Sequence, residues 1–234
     1  MSWATLYPAV LLTLAQPAAA PDPKLDAHLA AWEKATQGVT AFRAAFALTR
    51  TDPVFNKSRE FTGTALVMKP GAAALRIVSK ADPNDWDEFV CDGRTFYEYN
   101  GRAKTLTEHK VGRLTPVGED NLLLTILGGL KADELKKRFA VSLSKEDANY
   151  VYLTIKPQRP KDRQEFEQAV VILTGPKVPA PHAPYLPAAV RGWKPNGEEE
   201  RWVLSNPEVN PKGVDARSFA PRDLPGFTRQ PARP

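Results

Sequence analysis

The chain has 234 residues, 42% apolar and 25% charged, a length and balance that fit one globular domain and exclude a chain too polar to fold. Its net charge of +5 comes from Lys and Arg interspersed with Asp and Glu, without a basic run; this reads as a mixed solvated surface and offers no footprint for nucleic acid. The single cysteine, Cys91, excludes an internal disulfide and leaves the compartment undetermined by cysteine usage.

From the start, Trp3 to Leu14 form an apolar run followed by Ala15-Gln16-Pro17-Ala18-Ala19-Ala20. The run is too short to span a bilayer and suits an export signal with small residues at its cleavage site, so residues 1–20 are read as a signal peptide, although no Lys or Arg precedes the run. From Lys24 to Thr40 the residues Leu25, Leu29, Trp32 and Val39 recur near helical spacing, with Asp26, Glu33 and Lys34 on the remaining surface. This predicts one amphipathic helix ending near Gly38. Phe42, Ala44, Phe46 and Leu48 then alternate, predicting a strand up to the Asp52-Pro53 break, with Phe61, Gly63, Ala65 and Val67 as its partner.

The stretch from Phe61 to His109 organises the chain. Its short segments rich in Val, Ile, Thr, Phe and Tyr are each cut off by Pro, Gly, Asn or Asp, as in an antiparallel meander. Asp92-Gly93 and Asn100-Gly101 separate three such segments and predict two-residue hairpin loops. Cys91, in a strand just before the first of these, reads as a small buried side chain and not as a nucleophile.

Between Glu119 and Arg138 the pattern turns helical. Asp120 or Asn121 is placed to cap a first helix that is apolar nearly all round, Gly128-Gly129 to end it, and a second begins near Ala132-Asp133. A helix of that kind must be covered on more than one side or face a cavity. Strands are expected again over Phe139–Ser144, Tyr150–Lys156 and Glu165–Thr174. The Pro-rich segment Gly175–Pro187 reads as a long surface loop, Arg191–Ser205 as a last hairpin, and residues 229–234 as a disordered tail.

The run of motifs from Met68-Lys69-Pro70 through Leu75-Arg76-Ile77 to Cys91-Asp92-Gly93-Arg94-Thr95-Phe96-Tyr97-Glu98-Tyr99-Asn100 resembles the outer-membrane lipoprotein carrier family, LolA. Tyr152-Leu153-Thr154-Ile155-Lys156-Pro157 and the closing Val214-Asp215-Ala216-Arg217-Ser218-Phe219 through Pro225-Gly226 are similar to later motifs of the same family, in the same order. The resemblance implies a mainly β fold with an α lid over residues 21–228. It is a strongly curved antiparallel sheet of about eleven strands, an open half-barrel, with helices on its concave face. It further implies a soluble periplasmic, non-enzymatic carrier of lipoprotein acyl chains or another amphiphile. The alternative is a sensing or protein-binding module of the envelope with a filled cavity. No lipid-attachment cysteine lies near the start, which argues for a soluble carrier and not a lipid-anchored one; a monomer is expected.

The chemistry fits binding. His28, His109 and His182 stand apart with no second His or Cys at ligand spacing, and no phosphate loop or nucleophile motif is present, so neither metal nor cofactor is expected. Asp85, Asp87 and Glu88 around Trp86, and Glu198 to Glu200, read as solvated turn residues. The resemblance places Lys69 at the position of an arginine that holds the family's lid closed, here with its target expected at the carbonyls near Ile126 and Leu127. Lysine lacks the planar fork, so the latch would be less directional, and a lysine simply pointing into water remains the other reading. If Lys69 faces inward, strand parity puts Val67 and Ala65 on the concave face, with Leu75, Ile77 and Phe89 beside them. The lid opposite would be Leu29, Trp32, Leu123, Ile126 and Leu127. These eleven residues are the candidate ligand site.

Overall fold

A computed structural model describes residues 22–110, 122–129, 131–179 and 183–231. The expected signal peptide, the caps at Asp120 and Asn121, and His182 lie outside the described residues. Helix α1, Pro23–Gln37, opens on Asp22, whose carboxylate accepts from the backbone N–H of Lys24 and Leu25, with Pro23 at the first helical position where its missing N–H costs nothing. Leu25, Leu29, Trp32 and Thr36 form its buried stripe, and Gly38 closes it.

Strands β1 (Ala41–Asp52), β2 (Lys57–Met68), β3 (Ala72–Ser79), β4 (Trp86–Cys91), β5 (Thr95–Asn100) and β6 (Thr105–Lys110) follow as a meander. Two short helices come next, α2 (Leu122–Gly128) and α3 (Ala132–Arg138), then β7 (Phe139–Glu146), β8 (Tyr150–Pro157), α4 (Pro160–Glu165), β9 (Gln168–Thr174), β10 (Pro187–Trp193), β11 (Glu199–Val209) and β12 (Thr228–Pro231). All twelve strands form one sheet in the order β12-β6-β5-β4-β3-β2-β1-β11-β10-β9-β8-β7, open between its two end strands. The expected count was about one lower. The mainly β half-barrel with helices on one face stands as read from the sequence.

Four local readings differ. The tail from Arg229 continues the sheet: Arg229, Gln230 and Pro231 pair in parallel with Leu106, Thr107 and Glu108 of β6. Glu165 to Glu167 are not strand, because Pro160 starts the one-and-a-half-turn helix α4 and β9 begins only at Gln168. The loop after Asn100 has four residues, since Asn100 pairs directly with Thr105, and the positive φ of 51° falls on Lys104. Gly101 is needed there for a different reason. A Cβ at this position would lie 2.2 Å from the Trp86 indole nitrogen, so only glycine permits the close approach. Lastly, the acidic turn residues are less solvated than expected. Glu88 is buried between Arg76 and Arg222, and Glu200 pairs with Arg50 and Lys194.

The alternation of β1 buries Phe42, Ala44, Phe46 and Leu48 on the helix-covered face. Phe46 stands opposite Gly63, and a Cβ on Gly63 would come within 2.4 Å of the Phe46 ring and 1.9 Å of the Arg76 carbonyl oxygen. That gap lets Phe46 lie across β2 and meet Trp202 edge-on, 4.9 Å between centroids. This face, α1 and α2 make the main core. The opposite face of β2 to β6 carries a second core of Val90, Tyr97, Tyr99 and Leu106, covered by Phe219, Leu224 and Phe227 of the C-terminal segment. Cys91 is buried as expected, and burial pushes its thiol pKa up.

Candidate functional site

Register brings the sheet-side candidates into rows. Ala65 pairs with Leu75, which pairs with Phe89, and Gly63 pairs with Ile77, so one face of β2, β3 and β4 presents Ala65, Val67, Leu75, Ile77 and Phe89 together. Leu123, Ile126 and Leu127 belong to α2, which packs on β1 and β2, whereas Leu29 and Trp32 belong to α1, which packs on α3 and β7. Nine of these ten residues are buried in one continuous core, with Phe89 partly buried against it.

Lys69 sits at the rim and turns inward, but to a different partner from the one expected. Its ammonium donates to the carbonyl oxygen of Thr36 at 3.0 Å, in the last turn of α1, where orphan carbonyls and the helix dipole both favour a cation. The Ile126 carbonyl instead accepts from the Gly129 N–H. The two lid helices meet at this point: a Cβ on Gly129 would touch the Thr36 side chain at 3.1 Å. Lys69 therefore ties the β2–β3 turn to α1 and reaches α2 only through Thr36.

Space for a ligand lies on either side of α2. The larger cleft, about 810 Å³, is lined by Val67, Lys69 and Leu127 of the expected site, together with Val39, Phe42 and Leu124. A second of about 250 Å³ is lined by Leu75, Ile77, Phe89 and Leu123. Leu29, Trp32, Ala65 and Ile126 line neither and pack as plain core. The larger volume falls in the range of about 300–1,000 Å³ usual for small-molecule sites. Leu122 and Leu123 at the start of α2 face the smaller cleft, and Leu124, Thr125, Leu127 and Gly128 face the larger, so this helix lies between them.

The polar end of both clefts is Arg138, at the junction of α3 and β7. Sequence reasoning missed it, as it missed its partners. Asp162 of α4 receives Arg138 through Nε at 3.0 Å and Nη2 at 2.9 Å, and Arg159 through Nε at 2.7 Å and Nη2 at 3.0 Å. The side chain of Asp162 is only 2% exposed. Burial works to raise its pKa, but the hydrogen bonds of Arg159 and Arg138 outweigh burial and hold it at about 2. The Arg159-Pro160-Lys161-Asp162-Arg163 run was the one available signal for this cluster, and nothing in it names Arg138 as the partner. Glu200, at the rim of the smaller cleft, follows the same logic: burial raises it, and Arg50 and Lys194 more than compensate.

No family model and no curated protein matches the sequence. In fold the chain is similar to an uncharacterized conserved protein from Thermus thermophilus, at 9% identity and a TM-score of 0.52, over 89% of this chain and 99% of that one. It is also similar to the LolA superfamily protein NE2245 from Nitrosomonas europaea, with 9% identity, a TM-score of 0.41, and coverage of 84% of this chain and 97% of that one. A third likeness is to the Pseudomonas aeruginosa MucA/MucB complex, with 16% identity, a TM-score of 0.43, and coverage of 85% of this chain and 61% of that one. The likeness is one of fold, an open twelve-stranded sheet under helices.

Proposed function

We propose that this protein is a divergent LolA-like carrier that is exported to the periplasm and shields the acyl chains of a lipoprotein or another amphiphile. The observation that carries the reading is the cleft of about 810 Å³ where the lid helices leave the sheet, its wall running through Val39, Phe42, Val67, Leu124 and Leu127 into the closed core. Each methylene moved from water to such a wall is worth about 0.8 kcal/mol. Even after the cost of association, several kcal/mol or more, a chain of a dozen methylenes has enough to gain. The residues gathered at the cleft are suited to binding and to no bond-breaking step.

The second reading is a protein-binding module of the envelope. What favours it is that Leu29, Trp32, Ala65 and Ile126, expected to line a cavity, are buried in the continuous core and line neither cleft. Mass spectrometry of lipids that remain with the protein after purification from an envelope fraction separates the two. The carrier reading expects a stoichiometric amphiphile, and a clean apo-protein binding no acyl probe would favour the module. Sequencing the N-terminus of the same sample tests export, with a mature start expected between Gln16 and Pro23.

A further inference from the structure

The carrier reading leaves the head group of the cargo open, and the inference about that head group rests on it. The described lining of the larger cleft is two-sided. Its apolar wall comes from Val39, Phe42, Val67, Leu124 and Leu127, whereas Lys69, Lys137, Arg138 and Arg159 face the same volume with Glu134 as the one carboxylate among the described lining residues. In a chain with 32 basic and 27 acidic residues, four cations against one acid is a local excess that the general composition does not give.

Three of these cations, Lys69, Arg138 and Arg159, are also held in place. Arg138 and Arg159 share Asp162, each through Nε and Nη2, so both guanidiniums are fixed by the same buried carboxylate. Lys69 is bonded to a neutral carbonyl, so its charge is uncompensated there. Side chains fixed in advance lose little freedom when a ligand arrives, and guanidiniums are matched to the planar or tetrahedral oxygens of acids. An apolar wall facing a preorganised cationic one discriminates by charge as well as by chain.

We infer that the cleft takes amphiphiles with an acidic head group, a phosphate or a carboxylate, with the aliphatic chain along Val67 and Leu127 and the acid on the Lys137, Arg138 and Arg159 side. The shared chemistry is an anion at the end of an alkyl chain, and two probes distinguish its source. An uncharged fluorescent acyl probe is bound to the full chain and displaced, below micelle-forming concentrations, by dodecyl phosphate, dodecanoate, dodecyl maltoside or dodecyltrimethylammonium.

The expected result is displacement by at least one of the two anions at a concentration tenfold or more below that of the maltoside, with the cation weakest. If only the phosphate shows the preference, the head is a phosphate ester; if both do, any acid suffices. The anion-to-maltoside ratio should fall toward one in the double variant Lys137→Gln/Arg159→Gln and as salt is raised from 0.05 to 0.5 M. Lys57→Gln, at the start of β2 and away from the cleft, should keep the ratio. Equal displacement by anions and maltoside, or a preference that survives the double variant in a protein whose thermal melt shows it folded, overturns this inference alone. No displacement by any of the four overturns the carrier reading and this inference with it.

Discussion

Asp162 anchors the polar end of both clefts, and its ionisation gives a stability effect whose sign and size follow from the structure. Its carboxyl has a folded-state pKa of about 2 against an ordinary value of 3.8. A folded pKa below the unfolded one means that the contribution is fully present above the unfolded value and is lost as pH falls through the folded one. The difference of nearly two units corresponds to about 2.4 kcal/mol at neutral pH, with roughly half gone by pH 3 and most by pH 2. Other carboxylates titrate over the same range, so the test is a comparison. Urea unfolding of the native chain and of Asp162→Asn is followed at pH 7, 5, 3 and 2. Asp162→Asn should be less stable at pH 7 by about 3 kcal/mol, because the half-buried Arg138 and Arg159 lose the buried carboxylate they share. The gap between the two proteins should narrow by about 2 kcal/mol on going to pH 2. Parallel curves, with the same gap at every pH, would refute the account of Asp162 as an ionised centre held by two arginines.

Two further outcomes are expected. Gly63→Val should abolish folding or lower the melting temperature by well over about 10 °C, since its Cβ would fall 1.9 Å from the Arg76 carbonyl oxygen; a normal melt would show that β2 and β3 are spaced differently. Lys69→Leu should lower stability by only about 0.5 to 1.5 kcal/mol, a modest figure because the residue is exposed. It should leave affinity for an uncharged acyl probe equal or higher, with Lys69→Arg melting at or above the native temperature. Identical melts in all three proteins would show that the bond to Thr36 holds nothing closed.

What the sequence made legible was the part of the fold carried by local periodicity. The alternation Phe42-Ala44-Phe46-Leu48 and the Leu29-Trp32 spacing each predict which face is buried without knowledge of the partner. Strand parity then places Val67, Ala65, Leu75 and Ile77 together because each hairpin fixes its own register. What was not legible depends on distant pairing or on too few residues. Helix α4 spans six residues, short of two turns, so no apolar period can show. Strand β12 has the sequence Thr-Arg-Gln-Pro and owes its pairing to β6, more than a hundred positions earlier. The same applies to the site. Lys69 was singled out, but its acceptor is set by how the end of α1 packs on the end of α2. Arg138 and Asp162 meet across 24 positions and two strand ends, with no spacing rule to connect them. Sequence also marked α2 as apolar on all sides without saying whether it covers a cavity; the structure shows it doing both, buried at its middle with a cleft on each side.

The central claim is that an alkyl chain occupies the cleft beside α2. The most direct measurement is photo-crosslinking of the full chain with a diazirine-bearing fatty acid, followed by peptide mapping of the labelled positions. Label is expected within Val39–Phe42, Val67–Ala72 and Leu124–Gly128, diminished by competing unlabelled amphiphile. Label confined to the exposed Val54 and Phe55 at the β1–β2 loop, or label that no competitor removes, would contradict it.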